Sequence, residues 1–322
     1  KRGRRGAARL QRMKSARIGM MTAATGAIIA PVAFAAQWQF ATGAEYSHGS
    51  YGETASTEAA VIPLSIKLTV GHLSLRASTS YLGVRGPADI APLIEESGGG
   101  SDNSGSGSSG GSGSSGSNSS GSSGSDGSRG SNDSGGTPGG SGGGPMGPIT
   151  TSVFPANRDV RGFGDSTLAA TWSFVDLGST RLYLDVTGRV RMPTGSAARG
   201  LGTGTTDYAA IAELGWDGLK GGVFASGGRR LLESTSNLQR RDGWQASAGY
   251  WRNVGQRSVF GMQANWRTAT LAGGVDPRSI DAFLTRGLST GWKVEVSGSA
   301  GLSRASPDYV AGLRFIWKSP RR

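Results

Sequence analysis

The sequence has no cysteine and only two histidines in 322 residues. Without cysteine there is no disulfide, no thiolate metal site and no thiol nucleophile. Past residue 34 there is no apolar run long enough to cross a bilayer as a helix. No stretch repeats its apolar residues at the spacing of three or four that a helix requires. The net charge is +12, but eight of the positive charges are Lys1, Arg2, Arg4, Arg5, Arg9, Arg12, Lys14 and Arg17, with no acid among them, so the remainder carries +4. Basic stripes with interleaved aromatics are also missing, and no nucleic-acid partner is expected.

The first 35 residues are expected to be a signal peptide. Lys14 and Arg17 make a basic start, residues 18–34 carry no charge, and Ala33-Phe34-Ala35 is an A-x-A site that places cleavage before Ala36. Met13 reads as the true start, with residues 1–12 an over-long extension. Residues 98–147 hold 39 Gly or Ser among 50 positions and are expected to be disordered, because they bury too little apolar surface to offset the entropy of ordering.

The rest, 36–322, is read as one domain built from twelve segments of period two. In residues 181–192, Leu182, Leu184, Val186, Gly188, Val190 and Met192 alternate with Arg181, Tyr183, Asp185, Thr187, Arg189 and Arg191. A strand sends successive side chains to opposite faces, so this segment has one oily and one charged face. The same pattern recurs at 38–47, 58–70, 73–85, 163–176, 205–216, 243–253, 257–270, 292–303 and 308–318. It is weaker at 278–288, and the faces of the Gly-rich 219–232 are ambiguous. Most segments run ten to thirteen residues. Soluble strands average about five or six, whereas a tilted membrane-crossing strand needs about 9–11.

Connection lengths also sort. Gly71-His72, Leu177-Gly178-Ser179, Asp217-Gly218, Val254-Gly255-Gln256 and Ser289-Thr290-Gly291 are tight, while the alternate connections are long and one of them holds the Gly/Ser tract. Short turns at one end and long loops at the other are how outer-membrane barrels are built. Trp and Tyr cluster near segment ends, as interfacial girdles require. The fold expected is therefore all-β: a transmembrane antiparallel up-and-down barrel of about twelve strands, with the Gly/Ser tract inserted in an external loop. The Leu182 face is assigned to lipid and the Arg181 face to a wet interior.

On that assignment the pore-lining candidates are Lys67, Arg76, Arg181, Asp185, Arg189, Arg191, Glu213, Arg267, Glu295 and Arg314. Rings of fixed charge set selectivity, and this set has a mild excess of cations. The same residues serve equally as a salt-bridged plug. Arg189 and Arg191, near the outer mouth, are the first candidates for solute contact. Gly200-Leu-Gly-Thr-Gly204 is a weak phosphate-loop signal, since no helix follows it. Gly164-Asp-Ser166 is a weak hydrolase signal. His48 and His72 fall at opposite ends of their segments, so no triad uses both, and no enzymatic activity, metal or cofactor is expected.

Gly312-x-x-Phe315-x-Trp317 in the last segment resembles the C-terminal signal read by the barrel-assembly machinery of bacterial outer membranes, with the departure that Lys318-Ser-Pro-Arg-Arg322 follows the aromatic. The chain also resembles a proteobacterial outer-membrane transporter family named for the MetA pathway of phenol degradation. The residues that carry this are Arg161-Gly-Phe-Gly-Asp165, Gly188-Arg-Val-Arg-Met-Pro-Thr194, Gly200-Leu-Gly-Thr-Gly-Thr-Thr-Asp-Tyr208, Ala300-Gly-Leu-Ser303 and Ser306-Pro-Asp308. The resemblance implies a barrel in the outer membrane of a Gram-negative bacterium, in contact with its lipid, and a role in passage of a small-molecule solute it does not name. A barrel with a blocked lumen whose loops bind a surface, and a soluble exported β-sandwich, stay open as alternatives.

Overall fold

The computed structural model describes residues 36–51, 53, 55–88, 158–174, 181–234, 239–271 and 273–320. The expected signal peptide, the Gly/Ser tract and the turn at 177–179 lie outside the described residues. Thirteen strands are described: β1 (Ala36–Gly49), β2 (Thr57–Val70), β3 (Leu73–Arg85), β4 (Asp159–Phe163), β5 (Ser166–Phe174), β6 (Leu182–Met192), β7 (Asp207–Asp217), β8 (Gly221–Leu232), β9 (Gly243–Asn253), β10 (Ser258–Arg267), β11 (Arg278–Ser289), β12 (Trp292–Gly301) and β13 (Tyr309–Lys318).

Every pairing between named strands is antiparallel, and consecutive strands are neighbours except β4 and β5. The last strand returns to the first, from Gln39 opposite Lys318 to His48 opposite Tyr309. That pairing closes the ring, which is the condition for a sheet to survive in hydrocarbon, and leaves an open edge at the short outer strand β4. β4 and β5 both pair with β3, end to end, so the ring counts twelve.

The side-chain period decides the two faces. Along β1, Trp38, Phe40, Thr42, Ala44 and Tyr46 are exposed, while Gln39, Ala41, Gly43, Glu45 and Ser47 turn inward. Outward aromatics form two belts. Tyr46, Tyr81, Phe163, Tyr208, Trp244, Trp266 and Tyr309 lie toward the long-loop end, and Trp38, Trp172, Trp216, Tyr250, Trp292 and Phe315 toward the tight-turn end. Rings of this kind anchor at the polar–apolar boundary, and the band between the belts is Ala, Leu, Ile, Val, Gly and Thr. Outward charges such as Glu58, Arg85, Arg161, Arg252 and Arg286 sit at strand ends. The tight turns use left-handed glycines where the chain must reverse in two residues, Gly71 (φ 58°) after β2 and Gly291 (φ 85°) after β11.

One wall departs from the expectation. The segment read as a strand, 163–176, corresponds to β5; Gly164-Asp165 separates β5 from a short strand, β4, that the alternation did not mark. β5 pairs with both β3 and β6, but β4 pairs with β3 alone. The connection between β6 and β7 closes the gap. Its 3-10 turn, Ala197–Arg199, ends at Gly200 (φ 63°), and Arg199 Nη2 donates to the free-edge carbonyl of Arg161 at 3.0 Å. Leu201 then enters the mouth and is buried among Ala59, Val61, Leu82, Val84 and Ala88.

Candidate functional site

The interior inverts the usual core. Among the described residues its buried groups are mainly polar: Asp185, Arg191, Asp207, Glu213, Arg230, Gln263, Asp281, Glu295 and Arg314 are all nearly inaccessible. Buried ions of this kind persist only when paired or hydrogen-bonded.

Four bulky rings also face inward, and each stands directly opposite a glycine on the neighbouring strand. The pairs are Tyr183 with Gly215, Phe224 with Gly249, Trp251 with Gly222 and Phe283 with Gly261. A Cβ at any of these glycines would overlap its ring, at 2.7 Å from Phe224 Cζ for Gly249 and 2.8 Å from Trp251 Nε1 for Gly222. The rings therefore lie over the glycine backbone, along the wall. This is the aromatic–glycine pairing that lets a sheet carry glycine without a packing gap.

On the side formed by β10, β11, β12, β13 and β1, charges are matched. Arg314 Nη2 donates to Glu45 at 3.2 Å, and its Nη1 lies 3.9 Å from Glu295. Thr285 donates to Glu295 at 2.8 Å. Asp281 accepts from Gln263 at 3.1 Å, Asn265 at 2.6 Å and Ser299 at 2.6 Å. Each of these contacts joins adjacent strands.

On the β6–β8 side, signs separate along the strand direction. Toward the outer end, Arg191 donates to Asp207, and Arg240 grips both oxygens of the same carboxylate at 2.9 and 2.8 Å. Arg189 and Arg230 face inward beside them. Toward the inner end stand Asp185 and Glu213, opposite one another in register, with Tyr183 Oη donating to Glu213 at 2.9 Å. Lys67, opposite Arg76 on β3, comes within electrostatic reach of Asp185.

Of the residues named from the sequence, Lys67, Arg76, Asp185, Arg189, Arg191, Glu213, Arg267, Glu295 and Arg314 lie on the inner face. Arg181 does not join them: it precedes β6 in a left-handed conformation (φ 61°) and is exposed at the tight-turn end. Gly312 faces inward against Glu45 and Ser297, while Phe315 is outward on the lower belt. Three groups escaped the sequence reading. Arg230 sits in the Gly-rich strand whose faces were ambiguous, and Asp281 in the segment of weak period. Arg240 lies in a connection, where no periodicity operates.

Three of the stretches behind the family resemblance, 161–165, 188–194 and 200–208, meet at the long-loop end. Buried Asp165 accepts from Thr203 N at 2.7 Å, Thr203 Oγ1 at 2.8 Å and Gly195 N at 2.9 Å. Thr194 Oγ1 donates to Ser166 Oγ at 2.9 Å. The weak hydrolase signal at Gly164–Ser166 and the weak phosphate-loop signal at Gly200–Gly204 are thus two halves of one loop anchor. Tyr51, in the connection after β1, donates to Ser47 at 2.9 Å and packs on the Leu201 cluster, and burial holds its phenol above the usual range. His48 and His72 stand at opposite ends of the barrel.

A closed ring of twelve strands with an oily belt, two aromatic girdles and a polar interior defines a transmembrane β-barrel of the outer-membrane type. Among solved structures, the chain is similar to an outer membrane channel from Pseudomonas putida F1: the TM-score is 0.55 at 12% identity, covering 89% of this chain and 96% of that one. It also matches the NanC porin (TM-score 0.46, 7% identity, 87% and 98% covered) and the CymD monoaromatic hydrocarbon channel (0.39, 11%, 89% and 88%). The first likeness establishes a shared fold. No family profile matches the chain, and no curated protein matches it in sequence.

Proposed function

We propose that this chain is a passive conduit for small solutes across the outer membrane of a Gram-negative bacterium, with no catalytic role. The observation that supports this is how the bulky inward side chains are disposed. The four inward rings lie over glycines, and most of the ion pairs and hydrogen bonds described above join neighbouring strands. A plug needs side chains that reach across. Lysines and arginines on the inner face give the path its mild preference for anions. The lipid of the outer membrane is the partner of the oily belt, and Gly312, Phe315 and Trp317 are the residues through which the assembly machinery would recognise the last strand.

Liposome swelling tests the reading. Vesicles holding the refolded barrel are expected to swell in small isotonic solutes, more slowly as solute size increases. Swelling no faster than that of empty vesicles overturns the proposal.

One feature favours a second reading, a barrel with a closed mouth: the apolar cluster around Leu201 occupies part of the outer opening. A silent wild type whose Leu201→Ala variant conducts would establish it.

A further inference from the structure

We propose that the tight-turn end of β8–β11 is a docking site for the phosphate headgroup of an anionic phospholipid in the periplasmic leaflet. Tight turns of an outer-membrane barrel face the periplasm. Four basic residues gather there: Lys220 in the turn before β8, Arg252 on β9, Arg257 in the turn before β10 and Arg286 on β11. All four are exposed. Backbone bonds bring them side by side, since Asn253 N donates to Lys220 O and Gly287 N to Arg257 O, each at 2.8 Å. Arg252 stands opposite Phe260 of β10, and Arg286 opposite Ser258 of the same strand. Both point outward from the barrel wall, because they continue the outward rows of Tyr250 and Leu284. Two strand spacings, about 10 Å across the sheet, separate them, so two long guanidinium arms can meet on one phosphate.

The charge of the patch is unanswered within the protein. Among the described residues, none of the four side chains has an ion pair or a hydrogen bond. The described acid of these turns is Asp217, and it continues the inward row of Asp207 and Glu213. The long-loop end is different. There Arg85 and Arg161 lie 3.1 and 3.8 Å from Asp159, and Arg229 lies 3.5 Å from Asp242. The surroundings of the basic patch favour lipid over a periplasmic protein. Just on its membrane side the rings of Tyr250 and Phe260 meet edge to face, with centroids 6.3 Å apart. Leu219, Val254 and Leu288 are exposed beside the charges. Aromatic belts mark the level of the headgroups, and arginine stems lie along apolar surface while their heads stay in the polar layer. A basic cluster at that depth attracts anionic lipid. This goes beyond the conduit reading and does not depend on it.

Phosphatidylglycerol is the probe, and phosphatidylcholine with the same acyl chains is its net-neutral counterpart. The full mature barrel in detergent is titrated with each lipid, and native mass spectrometry counts the molecules retained. Phosphatidylglycerol is expected to be held at least tenfold more tightly, by a margin that narrows as salt rises. Arg252→Gln with Arg286→Gln is expected to remove most of that margin and to leave phosphatidylcholine retention unchanged. Arg85→Gln with Arg161→Gln removes the same charge from the long-loop end and is expected to leave the margin as in wild type. Equal retention of the two lipids, or a margin that both pairs of substitutions reduce alike, overturns the site. Binding of a polyglutamate peptide without any lipid preference also overturns it, and assigns the turns to an acidic protein. Conductance enters none of these readings, so their failure leaves the conduit standing.

Discussion

Two walls of one lumen solve the problem of buried charge differently. On the β10–β1 side, Arg314 stands between Glu45 and Glu295, and Asp281 has three donors. Positive and negative groups are matched strand by strand, and the wall is stitched together by its own side chains. On the β6–β8 side, two guanidinium groups share Asp207, and Asp185 and Glu213 are gathered lower down. On the first wall one guanidinium stands between two carboxylates, and on the second two guanidinium groups converge on one carboxylate. A count of interior charge hides this difference, because its meaning depends on which groups are adjacent in register.

Substitutions on the two walls should therefore separate stability from selectivity. The largest effect is expected on the matched wall. Arg314→Met leaves two carboxylates buried without their cation and should cost about 3–5 kcal/mol, read as a shift in the denaturant midpoint of the barrel refolded in lipid vesicles. Asp165→Ala removes a carboxylate that accepts three hydrogen bonds and should cost about 1.5–3 kcal/mol, with protease cleavage appearing within 193–206. Gly215→Val forces the Tyr183 ring off the wall, at about 1–3 kcal/mol, and the folded variant should conduct less than wild type. Tyr183→Ala should not. The smallest stability change, about 0.5–1.5 kcal/mol, is expected for Arg189→Gln on the β6–β8 wall, and its effect should show in ion selectivity as well. Equal stability losses for Arg314→Met and Arg189→Gln would erase the distinction between the walls.

How far the sequence reaches follows from what alternation encodes. In β6 and β12 the two-residue period names the face of every side chain, because each outward position is apolar or small and each inward one can be polar. The same period cannot see a wall interrupted by Gly164-Asp165, since β5 resumes on the same line against β3. It assigns no face where Gly227 and Gly228 precede Arg229 and Arg230, for glycine is neutral between lipid and water. In β11 it is blurred because Arg278 and Arg286 are outward at the strand ends, where charge reaches the headgroups. Arg240 comes from a connection and enters the site through its contacts with Asp207, which only the folded chain displays. Arg181 fails for the opposite reason: it continues the alternation of β6 but lies one residue before the strand begins.

The central claim is that the inner face surrounds an open path whose outer half favours anions. Single-channel recording under a KCl gradient tests it most directly. Discrete openings are expected, with a reversal potential on the anion side that moves toward zero in the Arg189→Gln, Arg230→Gln double variant. A correctly folded barrel that stays silent, or one that prefers cations, would contradict the account.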